Sequence, residues 1–217
     1  TKAGSQMTAA ERSPALELRG VRKAFGTFVA VRGIDLSVAR GQVFGFLGPN
    51  GAGKTTTLRI VAGLLRPSAG SVRVCGVDAL GDPLRAKARM GFLSDRPFLY
   101  DKLTGGEFLR FVGGLWGMRA DHIEARARLW LERFDLSGWV GEPVQAYSHG
   151  MRQRLLLCSA LIHEPELLIM DAPMVGLDPR GASQLKQVVR ELARESGMSV
   201  ILSTHTLDVV EQVCDTV

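Results

Sequence analysis

The sequence predicts an α/β fold in which a mixed β-sheet has an antiparallel N-terminal part and the chain carries an inserted helical subdomain. Short runs rich in Val, Ile, Phe and Leu alternate with helical patterns, as expected for strands that feed helices around a mostly parallel sheet. The earliest runs are separated only by short turns, and one central stretch has purely helical periodicity. The length of 217 residues is enough for one sizeable domain.

Seven segments are predicted to be strands because β-branched and aromatic residues concentrate in them. They are residues 16–21, 34–38, 42–47, 71–74, 90–93, 167–171 and 199–203. Turns that contain Gly33 and Gly41 join the first three, which we interpret as a meander. Residues 167–171 are continuously apolar up to a final acid, which is typical of a central strand buried on both faces.

Residues from about 97 to 155 are predicted to form the inserted helical subdomain. Phe108, Phe111 and Leu115 recur at helical spacing and should lie on one face of a helix. Tryptophans occur only in this stretch and are expected to fill a small helical core. They are Trp116, Trp130 and Trp139.

Length and composition indicate how the chain is organised. We expect a single domain over residues 15–217, preceded by a flexible segment of small and polar residues, 1–14. No window approaches the eighteen apolar residues of a membrane-spanning helix.

The net charge of +5 comes from scattered arginines, so we expect no nucleic-acid partner. The three cysteines fit no disulfide or metal pattern and are predicted to be buried thiols. They are Cys75, Cys158 and Cys214.

A glycine-rich segment matches the phosphate-binding pattern G-x-x-x-x-G-K-[ST]. It follows the predicted strand 42–47 and precedes a predicted helix over 56–65, which is the context that this chemistry requires. Backbone N–H groups and the helix N-terminus favour phosphate, Lys54 reaches the β- and γ-phosphates, and the Thr55 hydroxyl can ligate Mg²⁺. The predicted ATP-binding set is Gly48, Pro49, Asn50, Gly51, Ala52, Gly53, Lys54, Thr55 and Thr56.

Asp171 ends the apolar strand 167–171, where an ATPase needs a carboxylate to hold Mg²⁺ through its water shell. The alternative is a strand-end aspartate with only a structural role. Many such enzymes next have a glutamate that activates water, but this chain has Ala172. Because loss of a general base typically costs about 10²- to 10⁴-fold in rate, we expect weak hydrolysis and intact ATP binding. The missing charge also removes repulsion from the γ-phosphate.

Residues 147–154, Tyr-Ser-His-Gly-Met-Arg-Gln-Arg, place a serine and glycine loop at a helix start shortly before the aspartate strand. Together with the phosphate loop they resemble the ATP-binding subunit of an ABC transporter, from about residue 16 to the C-terminal end. Gly-Leu-Asp at 176–178 is similar to the family's D-loop, and Ser-Thr-His at 203–205 to its switch histidine. The resemblance implies a P-loop NTPase core of the ABC ATPase type.

The same resemblance implies a homodimer or heterodimer that closes head to tail around ATP. Each nucleotide would lie between the phosphate loop of one subunit and Ser148 and Gly150 of the other, with Asp178 nearby. Phe25 would stack on adenine. Lys54, Asp171 and His205 would be the catalytic residues, and Thr55, Asp95 and Asp171 would serve Mg²⁺. The partner would be an integral membrane permease, and the chain would be peripheral at the cytoplasmic face of the cell membrane.

The chain departs from the family pattern at several positions. Asp95 stands where Gln or Glu is usual, His149 replaces the first signature glycine, and Ala172 replaces the catalytic glutamate. Overall the chain looks most like the exporter branch, in which the permease is a separate polypeptide. Because the family normally continues for another strand or two after the switch histidine, His205, we expect a truncated C-terminus.

Two other readings stay open at this stage. Ala172 also fits a hydrolysis-deficient regulatory module or one trapped with ATP. A soluble non-transport ABC ATPase acting on DNA or ribosomes is the other, although such proteins tend to carry two ATP modules or a coiled-coil insertion. The sequence has no heptad repeat and no second phosphate loop.

Overall fold

The fold is known from a computed structural model that describes residues 13–95, 98–174 and 179–217. The predicted N-terminal segment, 1–14, therefore falls almost wholly outside the described residues. The strands are β1 (Leu16–Phe25), β2 (Phe28–Val38), β3 (Val43–Leu47), β4 (Ala69–Val74), β5 (Val77–Asp78), β6 (Met90–Leu93), β7 (Leu167–Met170) and β8 (Ser199–Thr204). The helices are α1 (Lys54–Val61), α2 (Pro83–Ala88), α3 (Gly105–Leu115), α4 (Ala120–Arg133), α5 (His149–Leu161), α6 (Pro179–Ser196) and α7 (Leu207–Val213). Short 3-10 turns at Ser137–Trp139 and Val144–Ala146 connect α4 to α5.

The strands form an antiparallel and a parallel sheet. The antiparallel sheet has the order β2-β1-β4-β5, and the parallel sheet has the order β3-β8-β7-β6. The α/β class, the antiparallel N-terminal part and the helices inserted between β6 and β7 are confirmed. No helix among the described residues is both long and apolar enough to cross a membrane.

The predicted meander of the first three strands is wrong. A tight turn joins β1 and β2 as a hairpin, with Phe25 opposite Phe28, and Gly33 lies inside β2. After Gly41 the chain enters the parallel sheet, where Val43 pairs with Val200 of β8. The reason is burial: Val43 faces one apolar cluster and Phe44 faces the other, and a strand of a parallel sheet has layers on both sides to cover two apolar faces.

The core divides at β7, whose side chains are all buried. Leu168 and Met170 face one apolar cluster, which includes the helical insertion, and Leu167 and Ile169 face the other, which includes the antiparallel sheet. This alternation is the period of two that a strand imposes. The predicted central strand is thus confirmed, and its last apolar residue delivers Asp171 to the carboxyl edge of the sheet.

The helical insertion buries fewer aromatic residues than predicted. Trp130 is 4% exposed, but Trp116 and Trp139 are about two-fifths exposed. Phe108 is buried, whereas Phe111 and Leu115 lie at the surface, so the predicted shared face is wrong. The cause is the close approach of α3 and α4 at Gly113, where a Cβ would lie 2.6 Å from Ile123. This contact turns the stripe of 105, 108, 109 and 113 inward.

Two smaller predictions concern α1 and the cysteines. The helix runs over Lys54–Val61 instead of 56–65, because the last residues of the phosphate loop already form its first turn. Cys75 and Cys158 are buried as predicted, and Cys214 is half-buried. Burial raises the pKa of Cys75 and that of Cys214, each to about 11, so these thiols stay protonated at neutral pH.

Candidate nucleotide-binding site

A cavity of about 280 Å³ lies at the carboxyl edge of the parallel sheet, where the loops after β3, β7 and β8 meet. This edge is where parallel α/β sheets bind their ligands. The described residues that line the cavity are Phe28, Ala30, Asn50, Gly51, Gly53, Lys54, Thr55, Thr56, Asp171, Ala172, Ser203, Thr204 and His205. Most of the predicted phosphate loop, the predicted magnesium aspartate and the predicted switch histidine thus share one cavity.

Glycine is required at two points of the phosphate loop. Gly51 and Gly53 have φ values of 81° and 89°, which side chains disfavour. At Gly53 a Cβ would also lie 2.5 Å from the backbone oxygen of Ala30 in β2. The loop is therefore packed directly on the antiparallel sheet, and the Gly53 position has no room for any larger residue.

The ammonium group of Lys54 lies folded against its own loop. Its Nζ donates hydrogen bonds to the backbone oxygens of Gly48 at 2.6 Å and Pro49 at 2.9 Å. The Ala52 N–H donates to the same Pro49 oxygen at 3.2 Å and closes the turn. Because carbonyls are neutral acceptors, phosphate oxygens at this cavity would compete well for the cation.

Residues Thr55 and Thr56 stand in the first turn of α1 and line the cavity. The free backbone N–H groups and the dipole of a helix N-terminus favour an anion here. The first turn is held by Thr57, whose hydroxyl and N–H both donate to the Gly53 oxygen, at 2.9 Å and 2.8 Å. These two hydrogen bonds therefore tie the helix to the loop at the cavity.

The Asp171 carboxylate is 2% exposed and lies directly after β7. Its Oδ1 accepts a hydrogen bond from the Ser203 hydroxyl at 2.6 Å, while its Oδ2 is buried without a hydrogen-bond partner among the described residues. A buried oxygen without a partner is costly, and a hydrated Mg²⁺ would satisfy it. Thr55 adds a hydroxyl to the same cavity, and oxygen ligands of this kind suit Mg²⁺. The residues present therefore fit magnesium.

The imidazole of His205 is exposed at the cavity, directly after β8. Thr204 and Thr206 hold the chain on either side of it, since the Thr206 N–H donates to the Thr204 hydroxyl at 3.1 Å. The histidine thus lies at the cavity on a turn that this hydrogen bond holds.

The family model described as ABC transporter matches residues 31–175, which run from β2 past the Asp171 turn. The chain belongs to the ABC transporter family. Proteins of this family bind ATP through this domain and work with membrane permeases, and the family as a whole hydrolyses ATP.

Among curated relatives, a daunorubicin resistance ATP-binding protein of Streptomyces coeruleorubidus is 43% identical over 93% of this chain and 63% of its own length. A Nod factor export ATP-binding protein of Ralstonia nicotianae is 40% identical over 94% of this chain and 63% of its own length. The chain therefore spans just under two thirds of these relatives.

Solved structures agree with this assignment. An ATP-binding subunit of an ABC transporter has a TM-score of 0.84 and 29% identity, covering 94% of this chain and 85% of its own. The cbiO1 protein of Clostridium perfringens, part of the ABC transporter complex cbiONQ, has the same TM-score, 26% identity, and coverages of 94% and 83%. The ABC ATPase fold predicted from the sequence is confirmed.

Several predicted ABC site residues lie away from the phosphate cavity. Ser148 and Gly150 line a separate groove of about 840 Å³ between α5 and α6. Phe25 is half-exposed at the hairpin tip, with the Lys23 ammonium 5.0 Å from its ring centre, and does not line the cavity. Asp178 lies outside the described residues.

Asp95 is also directed elsewhere in this structure. Its carboxylate forms an ion pair with Arg59 of α1 at 3.2 Å and accepts a hydrogen bond from the Ser94 hydroxyl at 3.1 Å. It does not line the described part of the phosphate cavity. Its role toward Mg²⁺ therefore stays a prediction.

Four cavity residues were missed by the sequence reasoning, namely Phe28, Ala30, Ser203 and Thr204. Ser203 and Thr204 were read only as part of the switch-histidine motif, although their strand runs beside β7 and ends at the same edge. That adjacency is a signal that could have found them. Phe28 lines the cavity because the β1–β2 hairpin folds over the phosphate loop, and nothing in the linear sequence shows that contact.

Proposed function

We propose that this chain binds Mg²⁺-ATP and, on binding, closes head to tail with a second copy or a related subunit to drive export through a separate membrane permease. It would act at the cytoplasmic face of the membrane. The observation that carries the proposal is the convergence of Lys54, Thr55 and Asp171 on one cavity, with a buried Asp171 oxygen that has no protein partner among the described residues. The names of the relatives, which include resistance and export proteins, support export.

Four cavity residues have distinct parts in this proposal. Lys54 would leave its loop carbonyls for the β- and γ-phosphates, and the first turn of α1 would bind phosphate through its N–H groups. Thr55 and Asp171 would hold Mg²⁺, which neutralises charge on the phosphates when bound. His205 would contact the γ-phosphate and orient it.

The position of Ser148 supports a shared site. Ser148 caps the 13-residue helix α5, since its hydroxyl accepts a hydrogen bond from the Met151 N–H at 3.3 Å. The helix N-terminus favours an anion, yet no described residue of its groove also lines the phosphate cavity. A phosphate presented by another subunit would satisfy this exposed N-terminus, as the head-to-tail dimer requires.

Hydrolysis by the chain itself is proposed to be weak. Ala172 lines the cavity in the position after the magnesium aspartate and cannot accept a proton. Of the described residues that line the cavity, the titratable ones are Lys54, Asp171 and His205, and each already has a binding role. A second candidate function, an ATP-holding module with little turnover, is favoured by this same observation.

The permease is proposed to dock on an exposed aromatic cluster of the helical insertion. The Tyr100 ring contacts Phe98 and Phe111 edge to face, and the ring centres are 5.3 Å apart in each of the two pairs. Phe98, Tyr100 and Phe111 are 76%, 47% and 42% exposed, although soluble surfaces seldom leave several aromatic rings together. The cluster follows Asp95 along the chain, and the ion pair of Asp95 with Arg59 of α1 would link docking to the helix whose first turn lines the nucleotide cavity.

ATP binding and closure can be tested separately in one experiment. ATP binding is measured by calorimetry and dimer formation by light scattering, with and without Mg²⁺-ATP. Lys54→Ala should lose both, whereas Ser148→Glu should keep monomer binding and lose the dimer, because its carboxylate repels the incoming phosphate. Ser137→Glu, on an exposed 3-10 turn of the same insertion, is the matched control. Failure of the unchanged chain to bind ATP would refute the proposal.

Docking can be tested by expressing this chain together with a candidate permease of an ABC exporter. Phe111→Ser should weaken its co-purification without changing ATP affinity, because the ring lies outside the nucleotide cavity. Leu129→Ser, at a similarly exposed position on α4, is the control and should leave the complex intact. Equal loss in both variants would argue against the aromatic cluster as the docking site.

A further inference from the structure

The carboxylate predicted to serve magnesium is held by a residue from the neighbouring strand. We propose that Ser203 is a positioning residue for Mg²⁺: its hydroxyl fixes the Asp171 carboxylate so that one defined oxygen is left for the hydrated metal ion. The inference rests on the proposed function, because it requires that the chain binds Mg²⁺-ATP.

The pairing of two parallel strands brings the two residues together. Met170 of β7 is in register with Leu202 of β8. The residues that follow these two along the chain, Asp171 and Ser203, therefore lie side by side at the carboxyl edge of the sheet. Both are almost completely buried, at 2% and 1% exposure. The serine Oγ lies 2.6 Å from Asp171 Oδ1, a short distance typical of a hydroxyl that donates to a carboxylate.

The hydroxyl has two hydrogen-bond partners. It donates its single proton to Asp171 and accepts a hydrogen bond from the Ala172 N–H at 2.8 Å. The Asp171 N–H itself donates to the Leu93 oxygen of β6 at 2.8 Å. Backbone and hydroxyl together thus fix the turn at Asp171 and Ala172, and Ala172 keeps a left-handed φ of 48°.

Only one carboxylate oxygen is left for a ligand. Among the described residues, the Ser203 hydroxyl provides the hydrogen bond to Oδ1, and Oδ2 is buried with none. The terminal torsion of an aspartate is broad, so without the hydroxyl the carboxylate could rotate and both oxygens would seek partners. The serine therefore selects which oxygen is left for a ligand, as outer partners of metal ligands generally do.

Strand β8 supplies a matched control. Ser199 lies four residues before Ser203, on the same face of the strand, and is equally buried at 1% exposure. Its hydroxyl also accepts a backbone hydrogen bond, from the Gly41 N–H at 2.9 Å. It stands at the opposite end of the strand from the cavity, so its removal tests the general cost of losing a buried hydroxyl.

The experiment is calorimetric titration of ATP into the unchanged chain and into S203A, S203C and S199A, in EDTA and over a series of free Mg²⁺ concentrations. In S203A the Mg²⁺ concentration for half-maximal tightening of ATP binding should rise about 10- to 100-fold, with ATP affinity in EDTA unchanged. S203C, which is close to serine in size but a weak donor, should give a smaller rise and guards against misfolding of S203A. S199A should match the unchanged chain.

Different results would overturn different steps. If S203A kept the Mg²⁺ dependence of the unchanged chain, or if S199A shifted it equally, the positioning role would be wrong while ATP binding stood. If the unchanged chain bound ATP equally well with and without Mg²⁺, the inference would also fail. Absence of ATP binding in both conditions would remove the proposed function together with it.

Discussion

Restoring a carboxylate at position 172 should convert slow turnover of ATP into rapid turnover. Ala172 lines the phosphate cavity, and its N–H is fixed by the Ser203 hydroxyl, so the backbone direction of a new side chain is already set. The left-handed φ of 48° is as unfavourable for alanine as for glutamate, so Ala172→Glu adds no backbone strain. A positioned general base contributes about 10²- to 10⁴-fold, which corresponds to about 2.7–5.4 kcal/mol of barrier.

The same substitution has an electrostatic cost for ATP binding. A carboxylate at position 172 adds negative charge beside Asp171 and the γ-phosphate. Two unit charges 4 Å apart repel by about 4 kcal/mol at an effective dielectric constant of 20 and by about 1 kcal/mol in water. We therefore expect weaker ATP affinity together with the higher rate, which distinguishes a base from a residue that only improves binding.

The assay is steady-state release of phosphate at saturating Mg²⁺-ATP, alongside ATP affinity for each variant. Ala172→Gln is the control, because it has the size of glutamate and cannot take a proton at neutral pH. Release by Ala172→Gln should stay at the level of the unchanged chain. The reasoning fails if Ala172→Gln and Ala172→Glu are equally fast, or if the unchanged chain already turns over ATP at the rates of about 1–10³ s⁻¹ common among enzymes.

Three further outcomes are expected. The Cβ of Gly53→Ala would lie 2.5 Å from backbone, so this variant should lose about 1–3 kcal/mol of unfolding free energy in denaturant together with ATP binding. Gly51→Ala, with open space around the new Cβ, should lose less stability. Equal losses of stability in the two variants would contradict the packing argument. Burial lowers the pKa of His163 below 6.5, so the contribution of the neutral imidazole to stability is complete above that pH and is lost as pH falls toward the folded-state pKa. The drop in melting temperature between pH 7.5 and pH 5.5 should therefore be smaller in His163→Phe than in the unchanged chain. An equal drop in both would contradict this role of His163. Phe28→Ala should weaken ATP binding by about 1–3 kcal/mol, the value of one stacked base, and should leave tripolyphosphate binding unchanged. If Phe25→Ala weakened ATP binding and Phe28→Ala did not, the stacking role predicted for Phe25 from the sequence would be supported instead.

Much of the fold could be predicted because it follows from local patterns. β7 was found from its continuous apolar run, and the phosphate loop from a pattern in which glycines, a lysine and a hydroxyl serve one ligand. The predicted meander failed because β3 pairs with Val200 of a strand more than 150 residues later in the chain. Local turns carry no information about such a pairing.

The helical insertion shows a similar limit. Its helices were predicted from periodicity, but the buried face of α3 depends on how closely Gly113 lets α4 approach. That contact leaves Phe111 exposed and lets it join Tyr100 at the surface. A hydrophobic period shows that a helix has an apolar face, but the neighbouring helix decides which residues that face includes.

By itself the sequence determined the family of this protein and predicted the residues of its site: a loop for phosphate, an aspartate for Mg²⁺, and Ala172 where a base is usual. These depend on residue type and short spacing, which the chain carries directly. The tertiary structure alone decided which groups share a cavity. It placed Ser203 against Asp171 and kept Ser148 away from the phosphate loop, because strand pairing and helix packing bring together or separate residues that lie far apart along the chain.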